Sequence, residues 1–469
     1  MQKDLLVDGT WKSSSESIEV FDPFKGKKIA DVASAGREEV ETVIAAGNSA
    51  ASEMRRLSRM EIADGLRRMA LGIETRKDEF TQTIIAESAK PLIYARGEVE
   101  RAIATFSVAA GEAGRFCGEV VPVDTQPAGK GKRAWTRRVP RGLIYGLTPF
   151  NFPLNLVAHK VAPALAAGNS IIIKPSPRTP LTALLLGEVF LESGLPKGAF
   201  QVVPMDVKYL DAVYDDDCIS MISFTGSAPV GWEIKQRAGK KVVALELGGN
   251  APVIVDRTAD HDISIDCNIT GAFAYSGQVC ISVQRIYIHS GIFADWTEQF
   301  VKKASEIKVG EPSHESTRLS VMIDEKAAAR IEKWVNEAID NGARALCGGS
   351  RNGSTYDATV LTDTDPEMRV VAEEAFAPVV VVEKFDDFRD AVAMANNSKY
   401  GLQAGVFSND LGNVGYAVEN MEYGGLIIND VPTFRVDNMP YGGIKDSGFG
   451  REGVRYAMEV MSEIRLIVQ

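Results

Sequence analysis

Residues 218–231, CISMISFTGSAPVG, run from a short apolar stretch into a glycine–serine turn and then into a helical pattern. Five similar stretches share this part of the chain: GLIYGL at 142–147, SIIIKP at 170–175, FQVVP at 200–204, VVALEL at 242–247 and APVIVD at 251–256. Short apolar strands alternating with helices predict a parallel α/β sheet. Gly226 and Ser227 then fall at a strand end and Gly231 just inside the next helix. Glycine at such a turn lets a phosphate approach the N–H groups of a helix N-terminus. The stretch is not GxGxxG, so an ordinary strand-to-helix turn is an equal reading of it in isolation.

Two more strand ends carry polar groups. Lys174 follows SIII, and Glu246 ends VVALE just before two glycines. The carboxyl edge of an α/β sheet is where such folds bind ligands. A lysine there can also be a surface residue, and a carboxylate beside glycines is either a general base or a turn former. FAYSGQVCIS at 273–282 sets a single cysteine among small residues, between a helical pattern and the strand-like VQRIYIH.

Outward from this region, residues 36–115 show helical periodicity and predict a coat of helices. PAGKGKRAWTRRVPRG, at 127–142, is basic and partly alternating, as expected of an exposed β-ribbon or a solvated charge run. A second alternation of strands and helices starts near residue 257 and predicts another α/β domain. The length, 469 residues, calls for at least two domains. A net charge of −11 argues against nucleic acid or an anionic membrane as partner, though it leaves room for a local basic pocket. No apolar run spans a bilayer and the first residues do not read as a secretory signal, so a cytoplasmic location is expected. Cys117, Cys218, Cys267, Cys280 and Cys347 lack CxxC spacing, which predicts free thiols and no metal site.

Four stretches, TPFNFP, FTGS, ELGGN and SGQVC, occur in the order found in the NAD(P)-dependent aldehyde dehydrogenases, which the chain resembles. The resemblance extends from VDGTW near the start, through EEAFAPV, to MPYGGIKDSGFGREG near the end. It implies a Rossmann-like cofactor domain over residues 1–121 and 141–248 and an α/β catalytic domain over 249–452. Residues 122–140 and 453–469 would form a small β oligomerisation element, giving a homodimer or homotetramer.

The same resemblance implies roles for individual residues. Cys280 would be the nucleophile, Asn151 an oxyanion donor together with the Cys280 N–H, and Glu246 the base that activates water. Lys174, Gly226, Ser227, Glu374, Phe376, Pro149, Phe150, Pro177 and Leu247 would contact NAD or NADP. Pro177 stands where strictly NAD-dependent members often carry glutamate, and Arg178 follows it. A carboxylate there would repel a 2′-phosphate, so its absence leaves both cofactors open.

TPFNFPLNLVAHK, FAPV and FRVDNMPYGG look most like the lactaldehyde dehydrogenase branch, whose relatives act on sulfolactaldehyde, phosphonoacetaldehyde and glyceraldehyde phosphate. A short polar or anionic aldehyde is the expected substrate. Arg101, His159 and Arg435 are the candidate contacts to its far end. Two other classes remain: a coenzyme A-acylating relative, which has no use for Glu246, and a non-enzymatic protein that keeps the fold.

Overall fold

The computed structural model describes residues 2–469. An eight-stranded sheet holds the stretches read first from the sequence. Its five central strands are parallel, in the spatial order Val242–Glu246, Ile219–Thr225, Leu143–Leu147, Ser170–Lys174 and Phe200–Val202. Chain progression runs one way from Leu143–Leu147 through the next two strands, then resumes on its other side. The strand order therefore reverses beside Leu143–Leu147, and a crevice opens past the carboxyl ends of the strands that diverge there.

Both faces are covered, as the continuous apolar runs require. One face carries Arg59–Thr75, Leu92–Arg115, Asn155–Ala166 and Leu181–Leu191 around a core that includes Leu66, Phe106, Val161 and Leu184. Arg37–Met54 and Ala228–Arg237 lie on the other, where Val43, Ile44 and Ile234 join Leu143, Ile172 and Leu245. Arg59–Thr75 starts sharply because Ser58 and Glu61 form a reciprocal capping box. Asn155–Ala166 lacks a capping side chain of its own; instead the buried Glu98 carboxylate accepts from the Leu154 and Asn155 N–H groups at 2.9 and 3.1 Å.

The second α/β unit has a seven-stranded sheet, with Pro252–Val255, Arg285–His289 and Val379–Phe385 at its centre and a single antiparallel edge strand, Arg344–Cys347. The basic ribbon is a strand, Ala134–Pro140, paired along its length with Ser462–Val468. Two strand pairings and one helix cross the expected domain limits. Val120–Val121 pairs with the ribbon, and Gly448–Phe449 pairs with Val242–Glu246 in the first sheet. Val454–Val460 is a helix whose Val454 and Met458 pack into the first core, since burying those side chains outweighs their sequence proximity to the ribbon. No helix of the described residues is long and apolar enough to cross a membrane.

Candidate active site

Cys280 stands just after a turn that the chain adopts only under constraint. Helix His261–Phe273 ends, and Tyr275, Ser276 and Gly277 take φ values of 50°, 55° and 66°. Two successive non-glycine residues in the left-handed region cost on the order of 1–3 kcal/mol each and persist only where their surroundings hold them. Here the Tyr275 hydroxyl donates to the Ser88 carbonyl at 3.3 Å, and Ser276 Oγ donates to the Ser320 carbonyl at 2.8 Å. Gly277 admits no side chain, because a Cβ would lie 2.1 Å from the Ala377 carbonyl oxygen.

Burial pushes the Cys280 thiol up to about 11, against the pull of a Tyr441 hydrogen bond and the Arg435 charge. Sγ lies 3.0 Å from the Tyr441 hydroxyl, and the Arg435 guanidinium sits 3.7 Å over the tyrosine ring. That contact was not expected from the sequence, where Tyr441 reads only as part of a loop motif.

Asn151 and Glu246 come from the ends of two strands of the first sheet and line the same 370 Å³ crevice as Cys280. The Asn151 amide donates one hydrogen bond to the Gln278 carbonyl at 2.9 Å, which anchors it and leaves its second N–H for another acceptor. Glu246 is buried and its Oε2 has no partner. Burial, then the neighbouring Glu452 carboxylate, hold Glu246 well above the ordinary carboxylate range; Arg435, Lys160 and Arg451 offset only part of this. Glu452 itself takes the charges: although buried, it is kept below the ordinary range by Lys160 at 3.3 Å and Arg435 at 3.0 Å.

Most of the residues expected at the cofactor line this crevice as well: Pro149, Phe150, Gly226, Ser227, Leu247, Glu374 and Phe376. Phe150 and Phe376 meet edge to face with centroids 5.9 Å apart. Glu374 Oε1 accepts from the Gly249 N–H at 3.2 Å, and burial raises its carboxyl to about 7. A side chain at Gly248 would collide with it, the Cβ falling 2.2 Å from Glu374 Oε2. Arg330, which no motif signalled, also lines the crevice and donates to the Ala375 carbonyl at 2.6 Å.

These residues fit a dinucleotide. Gly226 and Ser227 precede helix Ala228–Arg237, whose first amides receive no side-chain cap and so remain as donors for phosphate. Lys174 and Pro177 do not line the 370 Å³ crevice; Lys174 is buried at its strand end and Pro177 is exposed in the turn beyond. Arg178 is not free for an anion in this arrangement, since it pairs with Asp324 at 2.7 Å.

A second cavity, of 620 Å³, approaches the thiol from the other side, with Phe152 and Val279 in its wall. Arg101 and Arg435 both line it, but they are not equivalent. Arg101 Nη2 pairs with Asp437 at 2.8 Å, and its buried Nε has no partner. Arg435 is almost fully buried and committed to Glu452 and the Tyr441 ring. His159 does not line the cavity: it is buried on helix Asn155–Ala166 and spends Nε2 on Asp437 at 2.7 Å. Of the three candidate contacts, Arg101 and Arg435 thus line this cavity and His159 does not, and each is paired with a carboxylate, Asp437 or Glu452. Lys90, also missed, is buried in the same wall, paired with Glu98 and 3.6 Å from the Phe152 ring centroid.

A crevice past the carboxyl ends of a doubly wound sheet, beside an uncapped helix start, is where such folds bind nucleotides. The chain belongs to the aldehyde dehydrogenase family, whose model matches residues 11–467, and is accordingly an NAD(P)-dependent oxidoreductase. It is 40% identical over 468 residues to a 3-sulfolactaldehyde dehydrogenase of Priestia aryabhattai, covering 100% of this chain and 98% of that protein. Among solved structures it resembles aldehyde dehydrogenase 21 of Physcomitrella patens in complex with its reaction product succinate. The TM-score is 0.98 at 42% identity, over 100% of this chain and 98% of that one. It also resembles the glyceraldehyde-3-phosphate dehydrogenase GapN of Methanocaldococcus jannaschii, complexed with NADP, with a TM-score of 0.93 at 37% identity. That match covers 97% of this chain and 100% of that one.

Proposed function

We propose that the chain oxidises a short aldehyde with an anionic or strongly polar far end to the carboxylate, using NAD or NADP. Cys280 Sγ attacks the carbonyl carbon, and the second Asn151 N–H with the Cys280 N–H stabilises the resulting oxyanion. A bound nicotinamide supplies the hydride acceptor, and Phe150, Phe376 and Glu374 are the residues that would hold its half of the cofactor. Hydride loss leaves an acyl group on Cys280 as a thioester. Glu246 deprotonates the water that releases the acid, a role a coenzyme A-acylating enzyme would not need. Asn151→Ala is expected to lower kcat/KM by about 10² to 10³ in a steady-state assay, and wild-type values would remove Asn151 from the oxyanion site.

The observation that carries the substrate class is Arg101, a guanidinium in the wall of the 620 Å³ cavity that stays partly exposed while its Nη2 pairs with Asp437. The sulfonate in the name of the Priestia relative and the second carboxylate of the succinate held by the Physcomitrella enzyme are consistent with it. Arg101→Ala is expected to raise KM about 10- to 100-fold for succinic semialdehyde and leave that for propanal nearly unchanged. Equal losses on both would mean damage to the fold. No change on either would favour a neutral hydroxyaldehyde such as lactaldehyde. Arg435→Ala, by contrast, is expected to impair both substrates, since it frees buried Glu452.

Homo-oligomerisation through Ala134–Pro140 and Ser462–Val468 is part of the same reading. Its support is the row of exposed apolar side chains Ile464, Leu466 and Val468 on an edge strand.

A further inference from the structure

Away from both cavities of the active site, a 330 Å³ pocket lies where the end of helix Arg37–Met54, the start of helix Arg59–Thr75 and the two ribbon strands converge. Five arginines line it, Arg55, Arg59, Arg137, Arg138 and Arg465, and no acidic residue does. Among the described residues none of the five forms an ion pair, although the chain as a whole carries a net charge of −11. Three of them make long bonds to main-chain carbonyls, Arg55 to Arg141 at 3.3 Å, Arg59 to Ala166 at 3.4 Å and Arg138 to Glu459 at 3.4 Å, and Arg138 also lies 5.9 Å from the Phe116 ring centroid.

A second observation is independent of the pocket. Arg137 and Arg465 are direct partners in the antiparallel ladder, so two like charges face each other on one side of the ribbon. Such a pair destabilises a sheet unless something neutralises it. Burial, then the Arg137 charge, also hold Arg59 below the ordinary guanidinium range.

We propose that this arginine pocket binds a phosphoryl group, free or carried on a small organic molecule. Several guanidinium forks around one concave site match the oxygens of a tetrahedral dianion by charge-assisted, bidentate hydrogen bonds. Lysine would not offer that geometry. A second subunit is the poorer occupant, because Ile464, Leu466 and Val468 alternate with Arg465 along the strand. The apolar row that another subunit would cover lies on the opposite face of the ribbon from Arg465.

The test is thermal unfolding of the full chain at constant ionic strength, with chloride replaced stepwise by inorganic phosphate. The wild-type midpoint is expected to rise by about 2 °C for each tenfold of phosphate beyond half-saturation. The Arg137→Gln, Arg465→Gln double variant is expected to start higher, because the facing charges are gone, and to lose the response. Should that variant fail to fold, Arg465→Gln alone, in an exposed ribbon position, is expected to weaken phosphate binding at least tenfold by calorimetry. A wild-type midpoint indifferent to phosphate would overturn the proposal. So would an equal response in wild type and variant, which would place the phosphate elsewhere, for example at helix Ala228–Arg237. Glycerol phosphate against glycerol separates the sources: a shift at least as large as that of inorganic phosphate marks an organic ligand, and a smaller one marks the free ion. A fall in oligomer mass of the variant by light scattering, with no phosphate effect on wild type, would assign the arginines to a subunit contact and overturn the proposal.

Discussion

Cys280→Ala oxidises no aldehyde yet still binds the cofactor. The expected loss of turnover is at least on the order of 10⁴, because no other group in the crevice can form and release an acyl intermediate. Asn151 is an amide, Glu246 is a carboxyl whose pKa burial and Glu452 raise, and Tyr441, beside the thiol, is a phenol whose ionisation burial opposes. Removing Sγ leaves Phe150, Phe376, Glu374 and the uncapped start of helix Ala228–Arg237 untouched. Titration of NADP into the variant, followed by protein fluorescence, should therefore give a dissociation constant within a few-fold of wild type. Turnover within tenfold of wild type would sink the covalent route. Loss of cofactor binding would mean that the strained turn at Tyr275–Gly277 needs the thiol for its own conformation.

The parts of this site that were legible in the sequence are those written in local patterns. Strand ends show as apolar runs stopped by glycine, so Glu246, Gly226 and Lys174 could be placed at the carboxyl edge of a sheet before any coordinates. Asn151 and Cys280 needed more, since 129 residues separate two groups that line one crevice, and only the ordered family motifs joined them. Pairings between distant charges left no signal at all. Arg101 and His159 share Asp437 across 336 and 278 residues, and Lys160 reaches Glu452 across 292, whereas Arg435 meets the same Glu452 from 17 residues away. Periodicity reports which face a residue occupies, not which carboxylate meets it there. The sequence therefore gives no sign that Arg101 and Arg435 are already paired, with Asp437 and Glu452. Nor does any local pattern signal Tyr441, whose hydroxyl reaches Cys280 from a loop 161 residues away. The resemblance implies a bridging element that includes residues 453–469, and no local pattern signals that Val454 and Met458 of the Val454–Val460 helix pack into the first core.

Glu246→Gln should separate the two halves of the reaction. Gln keeps the size of the side chain and removes its capacity to take a proton, so acyl transfer to Cys280 continues while water attack slows by on the order of 10² to 10⁴. Rapid mixing with aldehyde and cofactor is expected to show a burst of reduced nicotinamide equal to the enzyme present, followed by slow turnover. Steady-state rate in wild type should also rise with pH beyond the ordinary carboxylate range. Burial and Glu452 raise the Glu246 pKa, the protonated form predominates below that value, and only the ionised form is a base. The variant should lose this limb and keep any limb that belongs to the Cys280 thiol, which burial pushes up to about 11. A burst that disappears with the substitution would give Glu246 an earlier task, accepting the proton of Cys280 before attack. Wild-type enzyme that stalls after the burst until coenzyme A is added would return the acylating class. The geometry is consistent with the proposed hydrolytic route: Glu246 lines the same crevice as Cys280, and its buried Oε2 has no protein partner that would compete with water for it.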